Sequence, residues 1–276
     1  MPEVAQLVQV RAVGRIAAAA LRASGGRVAA VPAFPTAPYV AAGGEIVWIG
    51  AAGPMHPRAV FVAGPYSVED QFMPEIEAWR PLSASDRGGA TPRLLAAMPG
   101  LAAGLLPTLP ARGYAPLLAA RPLEFLLQAR RSDALALATA ATCNDPEGFV
   151  TVATRLLGLG GGLTPSGDDF VGGALFALRM AHANDPGWAA AAATIRALAT
   201  TRTHAISAAL LADLANGESF APLHELLNAA MADAPARVLS AHARAVAAIG
   251  HSSGWDMLAG IFAATGALPG NTVSSN

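Results

Sequence analysis

Lysine is missing altogether from these 276 residues, and all 18 basic side chains are arginine. That absence excludes a Walker-type phosphate loop, a Schiff-base nucleophile and a lysine general base. Cysteine is nearly as scarce. With Cys143 alone, neither an internal disulfide nor a cysteine-built zinc site can form, and the cytoplasm is the expected compartment. Cys143 itself, before Asn144 and Asp145, has no electropositive setting and reads as an inert core thiol. Charge of either sign is also in short supply: a formal net charge of -1 offers no field to gather nucleic acid or an anionic membrane. The first residues show no basic stretch followed by an apolar one, and runs such as Val171–Leu178 and Trp188–Ile195 are too short to cross a bilayer. Those runs are expected to be buried helices.

What the chain does have is apolar mass, 53% hydrophobic residues against 13% charged, enough for one sizeable domain or two small ones. Its first part is punctuated by Gly and Pro and rich in β-branched and aromatic residues, with strands expected at Val28–Val31, Glu45–Ile49 and Ala59–Val62 and a short helix at Ala17–Arg22. Past Trp79 the pattern turns to alanine and leucine at helical spacing and stays so to about Leu268. The expected fold class is therefore α+β: a β-rich module over residues 1–82, then a larger, mainly helical module over 83–276. Thr91-Pro92, Asp145-Pro146 and Asp185-Pro186 each place a capping side chain before a proline, which marks helix starts. Gly158 and Gly250 stand where helix C-caps are expected.

Two stretches of the helical module match one another. Ser166-Gly167-Asp168-Asp169-Phe170-Val171-Gly172-Gly173 and Ser253-Gly254-Trp255-Asp256-Met257-Leu258-Ala259-Gly260 share Ser, Gly, Asp and Gly in corresponding places and point to an internal pseudo-repeat. Each follows a glycine-containing turn and opens a helix. If the repeat pairs these helices, Asp169, Asp256 and His251 meet in one cleft. Gly173 and Gly260 would then permit close helix crossing.

The first of these turns, Gly160-Gly161-Gly162-Leu163-Thr164-Pro165-Ser166-Gly167, can present backbone amides to a phosphate or carboxylate. Asp168 and Asp169 at its end fit proton transfer or a divalent ion, magnesium being the natural candidate. The plainer alternative is a capping box, Ser166 with Asp169 and Ser253 with Asp256. Capping leaves the adjacent Asp168-Asp169 pair without a reason. Arg202 suits a small anionic substrate, because its guanidinium can bind a carboxylate through two hydrogen bonds. His204 and His251 are the histidines in polar, turn-like sequence.

The string Gly162-Leu163-Thr164-Pro165-Ser166-Gly167-Asp168-Asp169-Phe170, together with Gly250 to Gly260, resembles the AllH-type subunit of oxamate carbamoyltransferase. The likeness is specific there and looser elsewhere. It implies a role in allantoin degradation, within purine catabolism: an assembly of three different subunits moves a carbamoyl group between oxalurate and phosphate, giving oxamate and carbamoyl phosphate. It implies small anionic ligands and other carbamoyltransferase subunits as partners. The residues expected to serve are Asp168, Asp169 and His251 in catalysis. For binding they are Gly160, Gly161, Gly162, Leu163, Thr164, Ser166, Gly167, Arg202, Ser253 and Asp256. This chain departs from the family pattern at Gly160-Gly161-Gly162 and at His251. Two other functions remain open from the residues: a magnesium-dependent hydrolase similar in plan to ADP-ribosylglycohydrolases, and a binding or assembly subunit without catalysis of its own.

Overall fold

The structure, a computed structural model, describes residues 6–81 and 91–269. The fold is α+β, and the chain divides into two compact units, Met1–Pro81 and Leu82–Asn276.

In the first unit, β2 (Val10–Val13), β6 (Ala59–Val62), β5 (Glu45–Gly50), β4 (Tyr39–Ala42) and β3 (Ala29–Ala30) form one sheet in that order. β5 and β6 pair in parallel and the other neighbours antiparallel. Gly43 and Gly44, both at positive φ, make the two-residue turn between β4 and β5, a conformation that side chains resist. Val47 and Ile49 alternate onto the buried face of β5, where α1 (Arg15–Ala23) covers them with Ala17, Ala18, Ala20 and Leu21. Two-residue strands β1 (Leu7–Val8) and β7 (Gln71–Phe72) pair separately. The sequence pattern anticipates β3, β5 and β6 and passes over β2 and β4. β4 is half alanine, a residue with little strand preference of its own, and is held by pairing on both sides.

The second unit is helical: α2 (Thr91–Leu105), α3 (Phe125–Gln128), α4 (Arg131–Thr142), α5 (Pro146–Ala153), α6 (Ser166–Ala181), α7 (Pro186–Arg202), α8 (Ala205–Ala215), α9 (Ala221–Met231), α10 (Ala236–Ala247) and α11 (Ser253–Ala264). Asp145 and Asp185 cap α5 and α7 as their sequence predicts, accepting from the amides of Gly148 and of Gly187 and Trp188. Thr91 has a different task, since its hydroxyl donates to the carbonyl of Ala181 at the end of α6. Cys143 is exposed, not a core thiol, because it follows the last turn of α4 where the chain leaves the packed face. No helix among the described residues is long and apolar enough to cross a membrane.

The core is organised around α6 and α11, both buried along nearly their whole length. They meet backbone to backbone. A Cβ added to Gly173 would stand 2.2 Å from the carbonyl oxygen of Met257, and one added to Gly260 would stand 2.0 Å from that of Phe170. Phe170 and Met257 occupy equivalent places in the two repeats, so the contacts are reciprocal and the crossing has approximate twofold symmetry. The helices consequently begin side by side. Around them pack α4, α8, α10 and the single-turn segment Ala115–Ala119.

Because the obstructing atoms at Gly260 are backbone, a methyl group there cannot be accommodated by turning a side chain. Gly260→Ala is expected to lower stability in urea unfolding by about 1–3 kcal/mol or more, the range of overpacked cores. Gly161→Ala, whose Cβ would meet open space at a residue without positive φ, should stay within about 0.5 kcal/mol of the parent, as surface changes do. Equal effects at the two positions would contradict the close crossing.

Candidate active site

At the shared start of α6 and α11 the serine of each helix reaches the aspartate of the other. The hydroxyls of Ser253 and Thr164 stand near Asp169, and those of Ser166 and Ser252 near Asp256, where each favours the charged carboxylate. Thr164 and Ser253 also bond to each other, Oγ1 to Oγ at 2.7 Å. The Ser-x-x-Asp spacing is therefore no capping box. Neither helix start has a side-chain cap, and Ser166 and Ser253 lie inside the first turn instead of preceding it.

Both carboxyls are buried, Asp169 at 6% exposure and Asp256 at 0%. In each, Oδ2 has no partner at hydrogen-bonding geometry despite the nearby hydroxyls. Burial and then the charge of Asp256 hold Asp169 well above the ordinary carboxylate range, against the lowering effect of Ser253 and Thr164. Burial likewise raises Asp256 from 3.8 to about 7, against the Tyr114 amide and the two serines. Burial and a neighbouring carboxyl thus act in the same direction on Asp169, favouring its protonated form.

Asp256 is further fixed by a loop for which no sequence motif prepares. The amide of Tyr114 donates to its Oδ1 at 2.6 Å, and Gly113, at φ +61°, leaves the space that the carboxyl fills. Next to it, Arg112 places Nη1 2.9 Å from Nε2 and 3.2 Å from Nδ1 of His251. Arg112 is thus a residue of this site that sequence reading misses. Nothing local sets it apart, and only the fold carries it to the start of α11.

The glycine turn and the first amides of α6 differ in what they leave open. Gly158, Gly160 and Gly162 do have positive φ, and a Cβ on Gly160 would press on the amide of Ser166. However, the amide of Gly167 is already taken by Leu159, and those of Asp168 and Asp169 by Pro165. The amides of Gly160 to Thr164 and of Ser166, by contrast, meet no backbone acceptor among the described residues. Gly161 and Gly162 are exposed and Leu163 is half-buried, while the carbonyl of Gly162 meets Nε2 of His204 at 3.3 Å. Gly167 itself is a packing residue, its α-carbon face against the carbonyl of Leu156. Arg202 reaches the turn through its carbonyl oxygen, which occupies the space beside Gly158, and its side chain is exposed.

Asp168 points the other way from Asp169. Its Oδ1 accepts from the amide of Gly158 at 2.7 Å and its Oδ2 from the hydroxyl of Ser207 at 2.6 Å, tying the turn to α8. Both oxygens are thereby engaged by the fold. No group of three or more His, Cys, Asp or Glu among the described residues is placed to hold a metal ion.

The paired helix starts, both turns before them and α7 to α10 lie within one matched segment. Residues 156–265 match the family model for oxamate carbamoyltransferase subunit AllH. The match covers α6 and α11 whole, and with them both aspartates, His251 and the serines that cross between the helices, whereas Arg112 lies outside it. No curated protein and no solved structure matches the chain. The AllH description is that of a subunit, and it accords with the likeness already carried by the residues from Gly162 to Phe170.

The raised carboxyl makes a prediction with a definite sign. A group whose folded pKa exceeds its unfolded value favours the folded state fully below the unfolded pKa and loses that contribution as pH rises through the folded one. For Asp256 the loss falls between about pH 4 and pH 7. Asp256→Asn, which stays neutral and can still accept from Tyr114, should therefore lose less stability than the parent between pH 5 and pH 8 in urea unfolding. Parallel pH profiles would show that Asp256 titrates as an ordinary carboxyl.

Proposed function

We propose that this chain is the AllH-type subunit of an oxamate carbamoyltransferase and that its Asp169–Asp256 pair moves the proton that carbamoyl transfer requires. The observation that carries this reading is the buried carboxyl pair, both members held above the ordinary carboxylate range, in the segment that matches the family. In the reaction a phosphate oxygen attacks the carbamoyl carbon of oxalurate, and the bond from that carbon to the amide nitrogen breaks. The electron pair stays on nitrogen, which leaves as oxamate once it takes up a proton. Asp169 supplies that proton, and Asp256 accepts the one released by the attacking phosphate. The pair ends with the same single proton, and the proton returns to Asp169 within it.

The half-buried hydroxyls of Thr164, Ser166 and Ser253 link the buried carboxyls to the turns in front of them and serve as the relay to bound substrate. Gly161 and Gly162 provide backbone that ligand can approach without obstruction. Other subunits of the carbamoyltransferase complete the assembly, as the family's description as a subunit supports. Hydrolysis through magnesium draws no support from the donor set at Asp168 and Asp169. No observation favours a purely architectural subunit, in which an unpaired buried carboxyl would be a cost without return.

Asparagine keeps the shape of Asp169 but cannot supply an acidic proton. In the full assembly with oxalurate and phosphate, Asp169→Asn should lower kcat by about a hundredfold or more, the scale of a lost general acid, with little change in melting temperature. Asp168→Asn should do the reverse, lowering stability by about 1–3 kcal/mol through its broken buried hydrogen bond. Full activity of the Asp169 variant would defeat this reading and leave the chain as a binding or assembly subunit.

A further inference from the structure

We infer that Arg112 grips the carboxylate of the substrate beside the aspartate pair, with His251 holding its guanidinium in position. The inference rests on the carbamoyl-transfer reading and adds to it the residue that selects the oxalurate and oxamate end of the reaction. Arg112 is half-buried, and among the described residues it makes no ion pair. Its hydrogen-bond partner among those residues is His251, which meets Nη1. Nη1 is the nitrogen on the Cδ side of the guanidinium, so this contact leaves the Nε–Nη2 edge uncommitted. That edge is the fork that receives a carboxylate through two parallel hydrogen bonds.

Along the same edge, Nε is shut off from solvent and has no acceptor. A buried donor left in this state is costly, and a bound carboxylate removes the cost. The backbone sets where the fork lies. Arg112 precedes Gly113 and Tyr114, which clasp Asp256, while His251 stands two residues before Ser253, whose hydroxyl serves Asp169. The cation is thereby tied to both members of the proton pair through rigid connections of one or two residues. Oxalurate and oxamate each carry a carboxylate adjacent to the amide carbonyl whose nitrogen must be protonated, so an anchored carboxylate brings that nitrogen toward the pair. Arg202, the arginine singled out by sequence, has its side chain exposed and lacks such a setting. His251 is on this view a positioning residue, accepting from Arg112 through one ring nitrogen.

The test compares Arg112→Ala and Arg112→Lys with the parent in the full assembly, using oxamate and inorganic phosphate as binding probes and oxalurate turnover as the rate. Arg112→Ala should weaken oxamate binding and raise KM for oxalurate by about tenfold or more, the scale of a charge-assisted hydrogen bond. The affinity for phosphate should change by less than about twofold, since steric and charge effects remote from a ligand are small. Arg112→Lys, which preserves charge without the planar fork and guards against a folding defect, should recover part of the loss. Asp169→Asn should bind oxamate as tightly as the parent while failing to turn over. An Arg112→Ala variant with unchanged oxamate affinity, or with phosphate affected more than oxamate, would overturn the assignment of Arg112 alone. Absence of oxamate binding and of oxalurate turnover in the parent assembly would overturn the carbamoyl-transfer reading and this inference with it.

Discussion

At Gly173 and Gly260 two buried helices touch through their main chains, and the chemistry of the site depends on that contact. With any side chain at these places, α6 and α11 would stand farther apart, and the serine of one would no longer reach the aspartate of the other. The reciprocity of the contacts, Gly173 on Met257 and Gly260 on Phe170, brings both helix starts to one end. A single packing arrangement thus buries two carboxyls together, sets four hydroxyls around them and points the positive ends of two helix dipoles at the same place. The dipoles and hydroxyls lessen the cost of burying acids.

Around this centre the fold separates tasks that the sequence places side by side. Asp168 and Asp169 are neighbours in the chain, yet on successive positions of a helix they face different directions. Asp168 fastens the glycine turn to Ser207, and Asp169 looks across to Ser253. In the second repeat Trp255 stands where Asp168 stands in the first, so the fastening is not repeated while the facing aspartate is. The loop at Gly113 and Tyr114 holds Asp256 from outside the repeat. The two halves of the site are alike in their acids and unlike in their surroundings.

Much of this was legible in the residues. The change from β-branched to alanine and leucine composition marks the passage from sheet to helix, and the starts at Ser166 and Ser253 show as glycine turns giving way to apolar runs. Asp145 and Asp185 declare their caps because capping is local. The meaning of Ser-x-x-Asp was not legible, since the same spacing serves a helix's own start or its neighbour's, and only the packing of α6 on α11 decides between them. Of the amides expected at Gly160 to Gly167, that of Gly167 is taken by the carbonyl of Leu159, a contact that only the folded turn reveals. Arg112 had no signature at all. Its importance comes from the fold bringing residues 112 and 251 together, a separation in the chain that no local pattern spans.

The shared proton is the central claim, and carbon-13 NMR of the aspartate carboxyls in the full-length chain measures it directly. Titration of the parent should show two coupled carboxyls far above the ordinary aspartate range, one of them with an apparent pKa near 7, and Asp169→Asn should remove one signal and shift the other. If every aspartate of the parent titrates below about 5, as unperturbed carboxyls do, the pair carries no proton at neutral pH and the mechanism built on it is wrong.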